Sequence, residues 1–573
     1  MSDLTTALQN ADSTYVHVFI SSMRWVAPIL AFLIIARCML PLLAFRRDPE
    51  IWGWLCLKNG KKLPITHWEN VIGRSKNSDI VIDHPAIAPT HCVLTRYDDG
   101  SWCITATDTA GNIRVNGKPV EISAVEPEDI LSIGGIEMNI KPITKLQEKR
   151  LAQLRARGSS VGGSLTNVVL LTVFQFLCSC AFLMGGDPAI TGSVFLGFGG
   201  IVVCQWALLL FYFFIHRTSF ELETVAFFLC TMGMSAIMTV VPGEALKQLV
   251  AMVLGLAVFL GVGWCLRDLE RAKKIRWLAA VAGIGFLAIT LLFGQEYYGA
   301  KNWLVIGSFS VQPSEFSKVC FVFVGASAMD RLVKKRNLIL FIAYSVMICG
   351  CLALMNDFGT ALIFFCAFLI IAYLRSGSIG TLALACTSLG FAGVVAMRFL
   401  PHALRRFAYW RHIWEVPLDA GYQQTRALMC MASGGFLGLG IGQGWMENLF
   451  AADSDMVIAT IGEEWGLIMV VLLVMSIISL GFFVIRSAAV ARSGFYTIGS
   501  CAAASILLVQ AILNALGTVD VLPLTGVTFP FVSNGGSSMI CCWGLLAFIK
   551  AADTRQNASF AVRLNKNGGG PDE

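Results

Sequence analysis

The sequence predicts a polytopic all-α membrane protein of about thirteen transmembrane helices, with an all-β sandwich inserted after the first. Three observations predict it. Of 573 residues, 56% are hydrophobic and 14% charged, against about 25% charged in soluble domains, and mean hydropathy is +0.69. From residue 165 onward, apolar runs long enough to cross a bilayer follow in quick succession. Between the first such run and the rest, residues 52–142 alternate apolar and polar positions instead. This composition excludes a soluble enzyme, a disordered chain and a disulfide-rich secreted module. The net charge of +6 fits the Lys and Arg excess of cytoplasmic loops and implies no nucleic acid.

The first apolar run spans Trp25 to Phe45 and is followed at once by Arg46 and Arg47. That places its C-terminal end in the cytoplasm and the N-terminus outside. Its length and its distance from the chain start argue against a cleaved signal peptide. Residues 1–51 are therefore an outer N-terminus plus one helix.

Residues 52–142 read as short strands, such as Asp79–Asp83, His91–Thr95 and Trp102–Thr105. The turn pairs Asp99-Gly100 and Asn116-Gly117 separate them. Regular spacing of this kind predicts a small cytoplasmic β-sandwich. Residues 143–164 form a basic linker, with Lys145 to Arg157 favourable to helix.

Further spans are expected near 165–185, 191–215, 221–241, 247–266, 277–293, 315–331, 338–355, 359–374, 379–398, 465–485, 496–517 and 537–551. The basic runs Arg267–Arg276, Arg331–Arg336 and Arg486–Arg492 then fall on the cytoplasmic side. Two large loops, 294–314 and 399–464, fall outside. Residues 165–293 hold additional and early helices, 294–552 a core, and 553–573 a polar, Gly-rich, disordered cytoplasmic tail. The 18 cysteines are scattered, most within apolar runs, for example Cys178, Cys204 and Cys541. No Cys-x-x-Cys with His partners occurs, so no zinc site is predicted.

The loop at 399–464 is too long to be a simple connection. It carries Arg405, Arg406, Arg411 and Arg426, a Gly-rich stretch from Gly434 to Gly444, then Asp453, Asp455, Glu463 and Glu464. Guanidinium groups match phosphate oxygens, and carboxylates can take a hydroxyl proton. Together at the outer face they suit a lipid-linked phosphate carrying a sugar. Glu315 and Lys318, three residues apart on one helix face, sit at membrane depth. They fit either a functional pair or an interfacial pair snorkelling to water. Asp455 fits a general base, or a carboxylate in the first turn of a helix beginning near Ser454 that satisfies free backbone donors.

Several blocks together resemble the SEDS family (shape, elongation, division and sporulation). They are Gly299–Trp303, Gln312–Lys318, Asn356–Thr360, Gly421–Gln423, Ser433–Gly435, Ser454–Ile458 with Gly462–Glu464, and Pro530–Ser538, in the family's order. The resemblance implies a peptidoglycan glycosyltransferase of the FtsW, RodA or SpoVE type. Such enzymes polymerise lipid II at the outer face of the bacterial cell membrane, beside a class B penicillin-binding protein. It implies Asp455 as catalytic base, with Glu315 and Lys318 as the paired acid and cation. It also implies substrate contacts from Arg411, Arg426, Gln423, Ser533 and Asn534. No cofactor is implied, although Mg or Mn could assist the diphosphate leaving group. A lipid II flippase and a non-catalytic scaffold recruiting a transpeptidase are the competing readings.

The sequence departs from the family pattern at several positions. Ala452-Asp453-Ser454 replaces the usual lead-in to the aspartate, Asn302 an Arg, Met355-Asn356 a Gln-Pro, and Asn534 a Tyr. Five spans of the continuous series precede Gln312, two more than the family pattern.

The β region resembles the FHA (forkhead-associated) family through Gly73-Arg74, Asp79–Ile82, His91 and Val115–Gly117. That resemblance implies phosphothreonine recognition, with Arg74, Asn112 and Asn116 as candidate contacts. The family's Ser is Ala88 here, and its recognition Asn falls on Gly111 with Asn112 displaced by one. A docking module without phosphate recognition therefore stands beside the phosphothreonine reading, and His91 reads as structural in both.

Overall fold

The computed structural model describes residues 13–44, 51–144, 146–147 and 161–553, apart from short internal stretches of which 391–408 is the longest. Most of the basic linker, the tail from 554, and Arg46, Arg47, Arg405 and Arg406 lie outside the described residues. The first helix, α1 (Ser13–Ala44), begins well before Trp25. Ser22 returns its hydroxyl to the carbonyl of Val18, so a polar residue there does not interrupt the helix.

Eleven strands follow: β1 (Gly53–Leu57), β2 (Lys62–Ile65), β3 (Glu69–Gly73), β4 (Ile80–Val81), β5 (Cys92–Arg96), β6 (Trp102–Ala106), β7 (Ile113–Val115), β8 (Lys118–Pro119), β9 (Ile122–Val125), β10 (Leu131–Ile133) and β11 (Ile136–Pro142). They form a six-stranded sheet, β2-β1-β11-β10-β7-β8, and a five-stranded sheet, β4-β3-β5-β6-β9. Pairing is antiparallel except between β3 and β4. Alternation puts Leu55, Ile72, Leu94, Trp102, Ile104 and Ile140 into one core of their own.

The membrane part comprises α2 (Val161–Gly185), α3 (Thr191–Phe214), α4 (Glu221–Val240), α5 (Ala245–Leu266), α6 (Leu269–Phe293), α7 (Pro313–Ala328), α8 (Lys335–Leu354), α9 (Phe358–Ser376), α10 (Tyr422–Gly434), α11 (Val457–Glu464), α12 (Leu467–Ala488), α13 (Gly494–Thr518) and α14 (Gly536–Ala551). Among the described residues, eight helices are long and apolar enough to cross a membrane, and three shorter apolar helices lie in α8, α9 and α14. The expected span at 315–331 is the 16-residue α7. The one at 379–398 falls partly outside the described residues.

Two expected loops carry regular structure. Residues in 294–314 form a three-stranded antiparallel sheet of β12 (Gln295–Tyr297), β13 (Ala300–Ile306) and β14 (Phe309–Val311). The loop at 399–464 holds α10 and α11. Neither loop holds an apolar run long enough to span a bilayer: α10 is polar, and α11, though buried, has eight residues.

Packing sorts the helices. In α4 the buried share of the apolar window is 89%, against 22% for α6. A helix apolar on every face belongs at the centre of a bundle, and α4 is that helix. Trp277, Leu278 and Val281 of α6 stay exposed, a face suited to lipid. Gly233 lets α4 approach the backbone of Val532 so closely that a Cβ would meet its carbonyl oxygen at 2.2 Å. The β-sandwich touches this bundle through Trp68, whose ring lies 6.0 Å edge-on from Tyr496 at the start of α13. Tyr496 in turn donates to the carbonyl of Leu266 at the end of α5.

Candidate functional site

Asp455 lies in a turn that ends at Met456, the residue capping α11. It is thus outside the helix, not in the first turn as the capping reading expects, and that reading is corrected. The turn is fixed from outside instead. Four consecutive carbonyls each accept a hydrogen bond from a distant residue. Thr460 Oγ1 donates to Ala452 (2.7 Å), Asn534 N to Asp453 (2.8 Å), Ser533 Oγ to Ser454 (2.6 Å) and Asn514 Nδ2 to Asp455 (3.0 Å). Asn534 Nδ2 also donates to the Asp453 carboxylate at 2.7 Å. Two departures from the family pattern, Asp453 and Asn534, thus contact each other. The half-buried Asp455 side chain lies over Gly526, where an added Cβ would stand 3.4 Å from Oδ2.

Ser533 is itself locked, since its Oγ accepts from Phe529 N at 2.8 Å. Gln248 of α5 brackets the same segment, donating to Ser533 O and accepting from Gly535 N. Gln248 and Asn514 escape a motif reading, because each lies within a span that reads as apolar overall. The signal that could reveal Asn514 is a polar stripe at helical spacing, Gln510, Asn514 and Thr518.

Glu315 and Lys318 are both buried, at 4% and 1% exposure. The ammonium donates to Glu315 Oε1 at 2.5 Å. Burial this deep excludes the snorkelling arrangement. Gln312 N donates to Ser537 Oγ at 2.9 Å, joining this block to the start of α14. The Asp357 carboxylate gathers three neutral donors: Asn302 Nδ2, Gln312 Nε2 and Thr360 N. Blocks separated by up to 225 residues therefore meet in one hydrogen-bonded assembly.

Beside it, Glu463 accepts from the backbone of Trp445 and Met446. Glu464 accepts from Gly442 N and Thr239 Oγ1. These carboxylates fold the Gly-rich stretch back onto α4 and α11. Burial pushes the Glu464 carboxyl up to about 7 against the lowering effect of those two donors.

Gln423 donates to Phe450 O at 3.4 Å, at the edge of the Asp455 turn. Arg426, half-buried on α10, lies 5.3 Å from the ring centre of Tyr422. Arg411 is exposed, with φ +65°, and its backbone N donates to Asp520 beyond the end of α13. Among the described residues no three His, Cys, Asp or Glu side chains converge as a metal site needs.

In the β-sandwich, Arg74 is exposed beyond β3, with its N donating to Ala88 O. Asn112 precedes β7 at the same apex, its carbonyl accepting from Gly134 N. His91 Nδ1 accepts from Ala88 N, and burial pushes its pKa down, as suits a structural neutral imidazole. Asn116 stands at the other end of β7. Its amide bonds Asp129 and Ile130 to close the hairpin turn, so the structure separates it from Arg74 and Asn112.

Residues 207–558 match the cell-cycle protein model of FtsW, RodA and SpoVE, and residues 70–134 match the FHA domain model. A peptidoglycan glycosyltransferase RodA from Mycobacterium bovis is 29% identical over 325 residues, 53% of this chain and 69% of its own length. A probable peptidoglycan glycosyltransferase FtsW from Bacillus subtilis is 28% identical over 356 residues, 56% of this chain and 82% of its own. The rod shape determining protein RodA of Thermus thermophilus aligns in structure at 22% identity and TM-score 0.43, covering 58% of this chain and 94% of that one.

Proposed function

The chain belongs to the FtsW/RodA/SpoVE family, and from that membership we propose that it is a peptidoglycan glycosyltransferase acting on lipid II. The observation that carries the reading to particular residues is the clamped turn. Four successive carbonyls leave the Asp455 backbone no freedom, which suits a base that must meet a reacting hydroxyl in one geometry.

The 4-hydroxyl of an acceptor sugar attacks the anomeric carbon of a sugar carried on undecaprenyl diphosphate. The new C–O bond forms as the bond to the diphosphate oxygen breaks, and the electron pair leaves with the lipid diphosphate. Asp455 takes the hydroxyl proton. Lys318, held by Glu315, stabilises charge gathering on the leaving group. Arg426 and Arg411 hold diphosphate or glycan at the rim, and Gln423, Ser533 and Asn534 shape the turn that receives the sugar.

In this reading the site faces outward, and the N-terminus lies outside. The FHA domain lies in the cytoplasm, a docking module whose Arg74 apex receives a phosphothreonine protein. A class B penicillin-binding protein cross-links the product. The test is polymerisation of labelled lipid II by the purified protein, with and without that partner. Wild type yields glycan strands and Asp455→Asn loses about 10²–10⁴-fold. Equal rates for both would remove Asp455 from the mechanism. Translocation of lipid II without polymer would favour the flippase, and growth supported by Asp455→Ala the scaffold.

A further inference from the structure

Gln510 is 1% exposed in the middle of α13, and neither its Nε2 nor its Oε1 has a partner among the described residues. A buried amide with both ends unmet is costly. It is not alone. Asn514 Oδ1, one turn further out, and Glu315 Oε2 on α7 are also buried without a partner among the described residues.

Helix periodicity points Gln510 and Glu315 toward the same place. At the inner end of their contact, an added Cβ on Gly499 would stand 3.5 Å from Ala326 Cβ. Gln510 is 11 residues outward from Gly499, and Glu315 is 11 residues outward from Ala326. Eleven residues return to nearly the same helix face, about 16 Å along each axis. Both side chains therefore lie on the facing sides of α13 and α7 at one depth. The outer end agrees. Gln510 is one turn inward from Asn514, which holds the Asp455 turn. Glu315 is one turn inward from Gln312, which bonds the start of α14.

The unmet groups are complementary. Gln510 Nε2 can only donate, and Glu315 Oε2, as carboxylate, can only accept. A hydroxyl satisfies both at once, accepting from the amide and donating to the carboxylate. We propose that Gln510 is a positioning residue, which with Glu315 holds a hydroxyl, of water or of the sugar substrate, between α13 and α7. Through that hydroxyl it sets the orientation of the Glu315–Lys318 pair. The inference rests on the glycosyltransferase reading and adds a residue to it.

The test compares full-length wild type, Gln510→Leu and Gln510→Glu in lipid II polymerisation across pH, with thermal unfolding of each. Leu removes the unmet amide at similar volume, so a merely structural Gln510 gives a variant of equal or higher Tm with unchanged kinetics. The expected result is equal or higher Tm with at least a tenfold loss of kcat/KM and a shifted pH–rate profile. A fall in kcat at constant KM identifies water as the bridge, and a rise in KM identifies a sugar hydroxyl. Gln510→Glu keeps the shape and is expected to displace the pH–rate profile even where the Leu variant fails to fold. Wild-type kcat, KM and pH profile in either folded variant overturn the proposal. A wild type that makes no polymer overturns the glycosyltransferase reading and this inference together.

Discussion

Two buried lysine–glutamate pairs in this molecule differ in one respect. Lys550 and Glu223, both 0% exposed, join α14 to α4. Both carboxylate oxygens of Glu223 are engaged, one by Tyr212 Oη at 2.6 Å and the other by Lys550 at 3.1 Å. Lys550 also donates to Ser219 O at 2.8 Å. Lys318 and Glu315 are as deeply buried, yet Glu315 Oε2 has no partner among the described residues. The first pair is saturated and ties helices together. The second keeps hydrogen-bonding capacity that the described residues do not consume. A buried charge with every site filled serves the fold, and one with a site left over is available to chemistry.

The comparison breaks most visibly by removing one cation from each pair. Lys550→Met leaves Glu223 buried and unpaired and is expected to cost about 3–5 kcal/mol of stability, while each molecule that folds keeps its polymerisation rate. Lys318→Met is expected to lose about 10²–10³-fold in kcat with the smaller fall in Tm. Thermal unfolding beside lipid II turnover reads both, and equal Tm losses with equal turnover would erase the distinction.

A second test sharpens it at the turn. Asn514→Leu leaves the Asp455 and Val527 carbonyls without their donor. The expected loss is about 1–3 kcal/mol of stability and about tenfold in kcat with KM unchanged. Unchanged kcat would show that the other three carbonyl contacts suffice.

Glu464 provides a titratable case. Its folded pKa of about 7 lies above the unfolded carboxyl value of about 4.3. The folded state holds the proton more tightly, so this contribution to stability is full below about pH 4.3 and fades as pH rises through about 7. Glu463 and Glu447 bear on the same group, and Arg24 of α1 lines the recess beside it. Glu464→Gln is expected to flatten the slope of Tm between about pH 4.3 and 7, the window those two values span. An unaltered slope would assign it to another group.

The smallest expected effect is at the sandwich. Trp68→Ala removes the ring contact with Tyr496, worth about 0.5–1.5 kcal/mol. Proteolysis of the β-sandwich away from the membrane part should quicken, with polymerisation in detergent retained. Arg74 lies at the opposite end of β3 from Trp68, so the phosphopeptide binding proposed above is expected to be unaffected by the same substitution.

Much of this was legible in the sequence because the signals are local. Apolar runs announce α1 to α6, α12 and α13, since a bilayer asks for one continuous length of apolar chain. Alternation announces the sandwich, since a strand shows its two faces in turn. Glu315, Lys318 and Asp455 stand out as charges next to apolar spans. The sheet of β12 to β14 and the helices α10 and α11 did not stand out. They are short, and neighbours rather than periodicity stabilise them.

The sequence alone determined the class of molecule and its two modules and put forward the candidate residues for chemistry, because composition, period and motif are properties of neighbouring positions. Only the tertiary structure decided which of those residues are free to act. Asn534 holding Asp453, Asn514 holding the Asp455 turn 59 residues away, and Tyr212 completing Glu223 are all relations between distant segments. Whether a buried polar group has a partner depends on what the fold carries to it, and no local pattern contains that information.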